Sequence, residues 1–353
     1  MISILYAFIG YLSFLLAFSG FSLQEGSNSL NDKFEILYSG MPPWGDSYYT
    51  AKIVCGEIDG YNGEELVITD DYGTFQVLGW DSVNLTLYQK WLSDPVFESH
   101  KINKIFLIPQ PNTHSAYIVF SDSANNLRTF KWINYLVEEG KYLRLKKSPT
   151  FQSSMNFIIG KFSTTHKGWE IASMTTKTLE FADYSIPFQI LRTGYFLDDF
   201  HPTSSYLLSS KYKQPKLFIV NGFGSQVHGL VVASYINDKK TSMRITHISS
   251  NFKSCKDYDF YVEAREKIGW IGKITKDSPV YITTLVKNEG FGDRIRFYIV
   301  GNQILYAFQA RIPSDISSWV LGDIDDDGLR ELITLDFMGQ LHIFRLRNVV
   351  KGF

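Results

Sequence analysis

The residues best equipped for chemistry form an acidic loop near the end of the chain. Asp323-Ile-Asp325-Asp-Asp327-Gly328-Leu-Arg-Glu331 sets carboxylates at positions 1, 3, 5 and 9 of a glycine-containing loop. A hard cation such as Ca2+ takes roughly six to eight oxygen ligands. Asp323, Asp325, Asp327 and Glu331 can supply several of them, with the Leu329 carbonyl as a further donor. The same residue types build turns without any ion, because Asp and Asn side chains accept from backbone N–H groups close by in the chain. Turn formation is the default reading, and Ca2+ ligation stands beside it. A related loop carries Glu57, Asp59 and Glu65, but Tyr61 stands at the middle ligand position. The corresponding places elsewhere hold Lys161 and Ser163, or Lys273 and Thr275, so a cation is expected in one loop at most and no other cofactor is expected.

No pattern for catalysis accompanies these loops. The chain has no phosphate loop, no Gly-x-Ser-x-Gly elbow and no His-Glu-x-x-His helix. Its seven histidines are scattered, and His342 sits in an alternating apolar run, where it reads as a strand residue. No catalytic residue and no small-molecule substrate are expected.

The acidic loops belong to a repeat. Residues 55–78 lie over residues 321–344 without a gap: Gly56 meets Gly322, Asp59 meets Asp325, Glu65 meets Glu331, Leu66 meets Leu332 and Gly73 meets Gly339. Each copy reads as strand, acidic loop, apolar strand, glycine turn and alternating strand. Weaker copies begin near Ile105, Phe157, Lys216 and Trp270, at a spacing of roughly 50 residues, which suits one four-stranded propeller blade. Such a unit cannot bury both faces alone; stacking units around an axis does so and leaves only short, protected edges. The expected fold is an all-β propeller. Six copies are visible and residues 32–38 would end a seventh, so seven blades are expected, the first incomplete. A helical signal is confined to Ile133–Tyr142.

Composition agrees. The chain has 353 residues, with 16% aromatic side chains and 26 glycines against 11 prolines, a balance that favours strands joined by tight turns. Net charge is -1, and the basic clusters Lys141–Lys147 and Lys239–Lys240 are short and offset by acids, so nucleic acid is not an expected partner. Cys55 and Cys255 lie far apart in apolar runs and read as free thiols, which favours a reducing compartment. Residues 1–24 carry no charge and are set apart from a single domain over 25–353. That segment reads as a signal peptide or anchor, or else as part of the first blade. Asn84-Leu-Thr86 is the sole glycosylation sequon.

Asp-x-Asp-x-Asp-Gly-x-x-Glu-Leu, followed by a glycine turn and an alternating strand, resembles the FG-GAP repeat of integrin α-chain propellers, whose blades are WD40-like; the Gly-His and Trp-Asp hallmark of WD40 itself is absent. At a finer level the chain resembles a cytosolic FG-GAP branch that serves in the KICSTOR complex. Lys33-Phe-Glu-Ile-Leu-Tyr38, Pro43-Trp44, Cys55-Gly-Glu-Ile-Asp59, Pro95-Val-Phe97 with His100, and Arg128-Thr-Phe-Lys-Trp132 carry that likeness in order. The chain departs from it at residues 1–24, where an acidic loop would open the first repeat, and at residues 109–113. The resemblance implies a non-catalytic scaffold with protein subunits as partners. It further implies a place at the cytoplasmic, lysosomal surface, indirect membrane association, recruitment of the GATOR inhibitory complex, and restraint of TOR signalling when amino acids are scarce. The alternative is a secreted or membrane-anchored integrin-α-like FG-GAP protein with Ca2+ in the Asp323 loop.

Overall fold

A computed structural model of the chain describes residues 33–43, 47–61, 63–97, 102–110, 113–123, 126–138, 143–144, 156–160, 162, 169–174, 178–184, 204–207, 213–221, 229–248, 255–263, 266–287 and 292–347. The expectations for residues 1–24 fall outside them. Every regular element described is a strand, and among the described residues no helix is long and apolar enough to cross a membrane.

The first strand, β1 (Phe34–Gly40), is followed by antiparallel runs of four. β2 (Ile53–Gly56), β3 (Glu65–Thr69), β4 (Phe75–Asp81) and β5 (Thr86–Leu92) form the first. β6 (Lys104–Pro109), β7 (Ala116–Ser121) and β8 (Asn126–Trp132) form the second, with β9 (Leu136–Glu138) and β10 (Leu143–Arg144) sharing the fourth place along β8. β11 (Asn156–Gly160), β12 (Trp169–Met174), β13 (Thr178–Tyr184) and β14 (Ser204–Leu207) form the third. The fourth is β15 (Lys213–Asn221), β16 (Gly229–Tyr235), β17 (Ser242–Ile248) and β18 (Cys255–Tyr261). The fifth is β19 (Lys267–Lys273), β20 (Val280–Val286), β21 (Arg294–Val300) and β22 (Ile304–Arg311). The last, β23 (Ile316–Gly322), β24 (Glu331–Asp336) and β25 (Leu341–Leu346), takes β1 as its fourth strand, with Phe34 opposite Leu346 and Gly40 opposite Leu341.

The inner strands β2, β6, β11, β15, β19 and β23 pack each beside the next, and β23 returns to β2. The fold is a β-propeller. Among the described residues six such runs are present, the eight-stranded sheet being two of them joined where β15 and β19 pair in parallel. Residues 34–38, within the segment expected to end a seventh blade, instead belong to β1 of the last copy, so the chain clasps its own ring. The helical signal at Ile133–Tyr142 is also corrected over its described part, residues 133–138. Ile133 N–H donates to Tyr135 O at 2.9 Å and Asn134 takes φ +83°, a hairpin turn that leads into β9.

The core consists of the seams between blades. In β3 every residue is buried, yet alternate side chains serve different seams. Leu66 and Ile68 pack with Ile333, Leu335 and Ile343 of the last blade, whereas Val67 packs with Ile118 and Phe120 of the second. A strand flanked by neighbours on both faces has no polar side, so the two-residue period is hidden in an unbroken apolar run. The outer strand β5, with one face to solvent, shows a mixed pattern instead. Glycines on inner strands admit side chains from the neighbouring blade: a Cβ on Gly269 would stand 2.1 Å from Trp319, and one on Gly322 2.0 Å from Cys55 Sγ.

The hairpins joining second and third strands repeat one device. Asp70, Asp122, Asn237 and Asp336 each accept from the backbone N–H four residues on, at 2.8–3.0 Å. At the third position past Asp70 and Asp336 stand Gly73 (φ +81°) and Gly339 (φ +85°), and Lys240 (φ +56°) takes that place past Asn237.

Candidate functional site

Both acidic loops hang from a buried glutamate at the start of the second strand, and the third blade repeats that glutamate. Glu65 Oε2 accepts from Ile58 N–H at 2.8 Å, Glu331 Oε2 from Ile324 N–H at 3.3 Å, and Glu170 Oε2 from Phe162 N–H at 2.9 Å. Ile58, Phe162 and Ile324 are themselves buried, so loop and strand are pinned together from beneath. A carboxyl oxygen satisfies a backbone N–H that would otherwise be buried without a partner. The repeated Glu is therefore a structural anchor in three copies.

Above that anchor, in the first blade, sits a lysine. Lys90 Nζ lies 2.6 Å from Asp59 Oδ2 and 2.7 Å from Glu65 Oε1. Burial works against its ammonium, but the two carboxylates overcome this and hold its proton well above the ordinary lysine range. Glu57 Oε1 accepts from Gly60 N–H at 2.8 Å, and burial, with Glu65 close by, pushes its carboxyl up to about 7.

In the last blade Asp323, Asp325 and Asp327 place carboxylate oxygens within 4.8 Å of one another, as the spacing predicts. Glu331 lies beneath that grouping, in the anchor role. Asp323 spends both oxygens on the loop backbone, accepting from Asp327 N–H at 3.1 Å and Gly328 N–H at 3.0 Å. Asp327 Oδ1 accepts from Leu329 N–H at 2.8 Å. Arg345 Nη2 donates to Asp325 Oδ2 and stands 3.6 Å from Asp327 Oδ2. Burial, and then Asp325, push the Glu331 carboxyl up to about 9, so it is protonated at neutral pH. Ca2+ needs several ionised oxygens converging on one point. Here a guanidinium holds the Asp325 and Asp327 edge, so a cation among these oxygens would have to displace Arg345.

The two cations reach equivalent loops from different strands. Leu66 pairs with Leu78 and Leu332 with Phe344, so Gly79 and Arg345 correspond. Leu78 pairs with Gln89 and Phe344 with Ile36, so Lys90 and Leu37 correspond, each at a register shift. Where one copy has glycine and lysine, the other has arginine and leucine.

The loops of first and last blades also bolt to one another. Glu64 N–H donates to Asp323 O at 2.9 Å, Asp323 N–H donates to Glu64 Oε2 at 3.0 Å, and Arg330 Nη2 lies 3.2 Å from Glu64 Oε1. Glu64 and Arg330 hold the same repeat position, and their opposite charges meet across the seam that β1 closes. Lys90, Arg345, Glu64 and Arg330 were not singled out by loop spacing; laying one copy over the other would have exposed the Glu64–Arg330 complement.

The inner strands line a cavity of about 460 Å3, bordered by Cys55, Leu107, Phe218 and Trp319, with Glu64 and Arg330 among its polar groups. Burial first, and then Glu64, push the Cys55 thiol well above its ordinary range, the reverse of what a nucleophilic cysteine needs. Among the described residues, the carboxylate, histidine and thiol groups close enough to share a cation are Glu57–Asp59–Glu65 and Asp323–Asp325–Asp327.

No protein-family model and no curated protein matches the sequence. Solved structures do. The crystal structure of BBS1N in complex with ARL6DN, soaked with lead, aligns at TM-score 0.56 and 10% identity, over 90% of this chain and 98% of that one. The same complex soaked with mercury aligns at TM-score 0.55 and 10% identity, over 90% and 97%. At that identity the likeness is one of fold.

Proposed function

We propose that this chain is a non-catalytic protein-interaction scaffold, and more finely a KICSTOR-type subunit acting at the lysosomal surface in amino-acid-dependent restraint of TOR signalling. The observation that carries the scaffold reading is the commitment of the acidic groups to the fold. Asp59 and Glu65 are held by Lys90, Asp325 by Arg345, and Glu64 by Arg330, so these carboxylates serve as struts. BBS1N was crystallised with a protein partner, ARL6DN, which supports a protein partner here. The finer reading rests on the ordered landmarks between Lys33 and Trp132. Mass spectrometry of the tagged protein purified from its own cells tests both levels. Co-purification of KICSTOR subunits is expected; partners of another kind would retain the scaffold and discard the complex, and the absence of any partner would discard both.

A second reading is favoured by the uncharged residues 1–24 and by Asn84, which is exposed in the turn between β4 and β5. It makes the chain a secreted or membrane-anchored FG-GAP protein. A cleaved N-terminus with sugar on Asn84, read in the same experiment, would establish it and overturn the lysosomal-surface reading.

A further inference from the structure

Between the fourth and fifth blades lies a cavity of about 210 Å3 with a cationic rim. Lys216 enters it from β15, Lys267 from the start of β19, and Lys240 from the hairpin between β16 and β17; the floor is Phe218, Tyr235 and Met243. β15 and β19 run parallel, with Val220 opposite Ile271, so the early residues of both strands emerge on one face of the ring. That face also carries the second-to-third-strand hairpins.

Two features separate this place from an ordinary solvated basic patch. Among the described residues neither Lys216 nor Lys267 has an acidic partner, although the two converge. Both lysines keep exposed surface; partial burial, and then Lys267, push the Lys216 ammonium down. The two carboxylates just before Lys267 in the chain are engaged elsewhere. Glu266 is fully buried and bonded by Thr284 Oγ1 at 2.6 Å, Arg296 Nη1 at 2.7 Å and Tyr298 Oη at 3.0 Å. Glu263 is paired with Arg294 at 3.3 Å and with Arg296. The positive charge of Lys216 and Lys267, set beside an apolar floor, is complementary to an anion with an apolar body. The size selects among such anions: small-molecule sites usually run to about 300–1,000 Å3, and this cavity falls below that range, nearer to the room one large side chain needs. Lys240 adds to the shape. It takes φ +56°, where two sister hairpins have glycine, and its Nζ stands 5.5 Å from the centre of the Tyr235 ring.

We propose that Lys216, Lys240 and Lys267, with the apolar floor between them, dock an acidic segment of a partner protein that inserts one large apolar side chain. This reading rests on that of the chain as an interaction scaffold. Fluorescence anisotropy with three labelled peptides tests it: a tryptophan flanked by glutamates, the same tryptophan flanked by glutamines, and an alanine flanked by glutamates. The first should bind at least about tenfold more tightly than either control, and Lys216→Glu with Lys267→Glu should weaken it at least about tenfold at an unchanged melting temperature, the span expected for close opposite charges. Lys267→Gln, at an exposed strand start, gives a milder loss and guards against a misfolded double variant. Equal binding of the three peptides, or indifference to these substitutions, overturns the proposal. So does lysine-dependent binding to phosphatidylserine vesicles with no peptide bound, which would make the occupant a lipid. Partner capture from cells separates the readings: peptide binding that fails while the wild-type chain still captures partners sinks only the pocket, whereas a wild-type chain that captures none sinks the scaffold.

Discussion

Glu65 and Glu331 do the same work in two copies of the repeat, but their surroundings differ in charge. Lys90 neutralises the first, and removing it strands two largely buried carboxylates. Lys90→Met should therefore cost about 3–5 kcal/mol, read by urea denaturation. Adding the other blade's solution, Gly79→Arg with Lys90→Leu, should restore a measurable part. Chelation tests the native loops directly: an ion bound at a hundredfold excess would stabilise the fold by about 2.7 kcal/mol. The expected result is a melting temperature unchanged by EDTA or added Ca2+, with a Ca2+ response appearing only in Arg345→Ala. Asp71 makes a separate pH prediction. Partial burial works against its carboxylate, but bonds from Ser47 Oγ, Thr50 Oγ1, Thr50 N–H at 2.7 Å and Tyr49 N–H at 3.0 Å lower it to about 2. A folded value below the unfolded one gives stability that is present above the ordinary carboxylate range and lost as pH falls towards 2. Asp71→Asn should thus cost about 1–2 kcal/mol at neutral pH, and the gap between the two melting curves should narrow in acid.

At the scale of the element, the hairpins show which glycines are required and why. Gly60 and Gly339 both take φ +85°, so any side chain meets the backbone penalty of the left-handed region at either place. Around Gly60 nothing lies within 4 Å of an added Cβ, whereas at Gly339 it would stand 2.3 Å from Tyr48 Cδ2. Gly60→Ala should cost about 1 kcal/mol and Gly339→Ala distinctly more, because strain alone acts at one and strain with a buried clash at the other. Thermal melts of the two single variants measure the difference. The alignment of residues 55–78 with 321–344 made the Gly339 turn legible, since Gly73 stands at the same place, whereas Gly60 lies over Asp326, whose φ of +57° is left-handed without a glycine. The missing fourth strand of the last copy was not legible there, because β1 precedes its blade by almost the whole chain.

For the whole molecule, closure is the decisive property. β1 completes the last blade, Phe34 packs 6.0 Å from Phe297 and 5.8 Å from Phe308 of the fifth, and Glu64 and Arg330 bridge the first and last loops. A ring shares its stability among all seams, so opening one exposes two apolar faces at once. Deleting residues 1–40 should abolish the native melting transition rather than lower it by the increment of one strand. A truncated protein that still unfolds in a single sharp transition near the native temperature would show that the clasp is dispensable.

The sequence by itself determined the repeat, the all-β class, the recurrence of a Glu after each acidic loop and the glycine turns. These are local: a strand, a carboxylate a few residues from its N–H, a glycine at positive φ. What occupies the loops, how many blades the described strands make, and where unpaired charge gathers were decided only by the tertiary structure. Lys90 reaches Asp59 across 31 positions, Arg330 meets Glu64 across 266, and Lys216 confronts Lys267 from a neighbouring blade. Charge acts through distance in space, and the ring brings together residues that no spacing along the chain marks as neighbours.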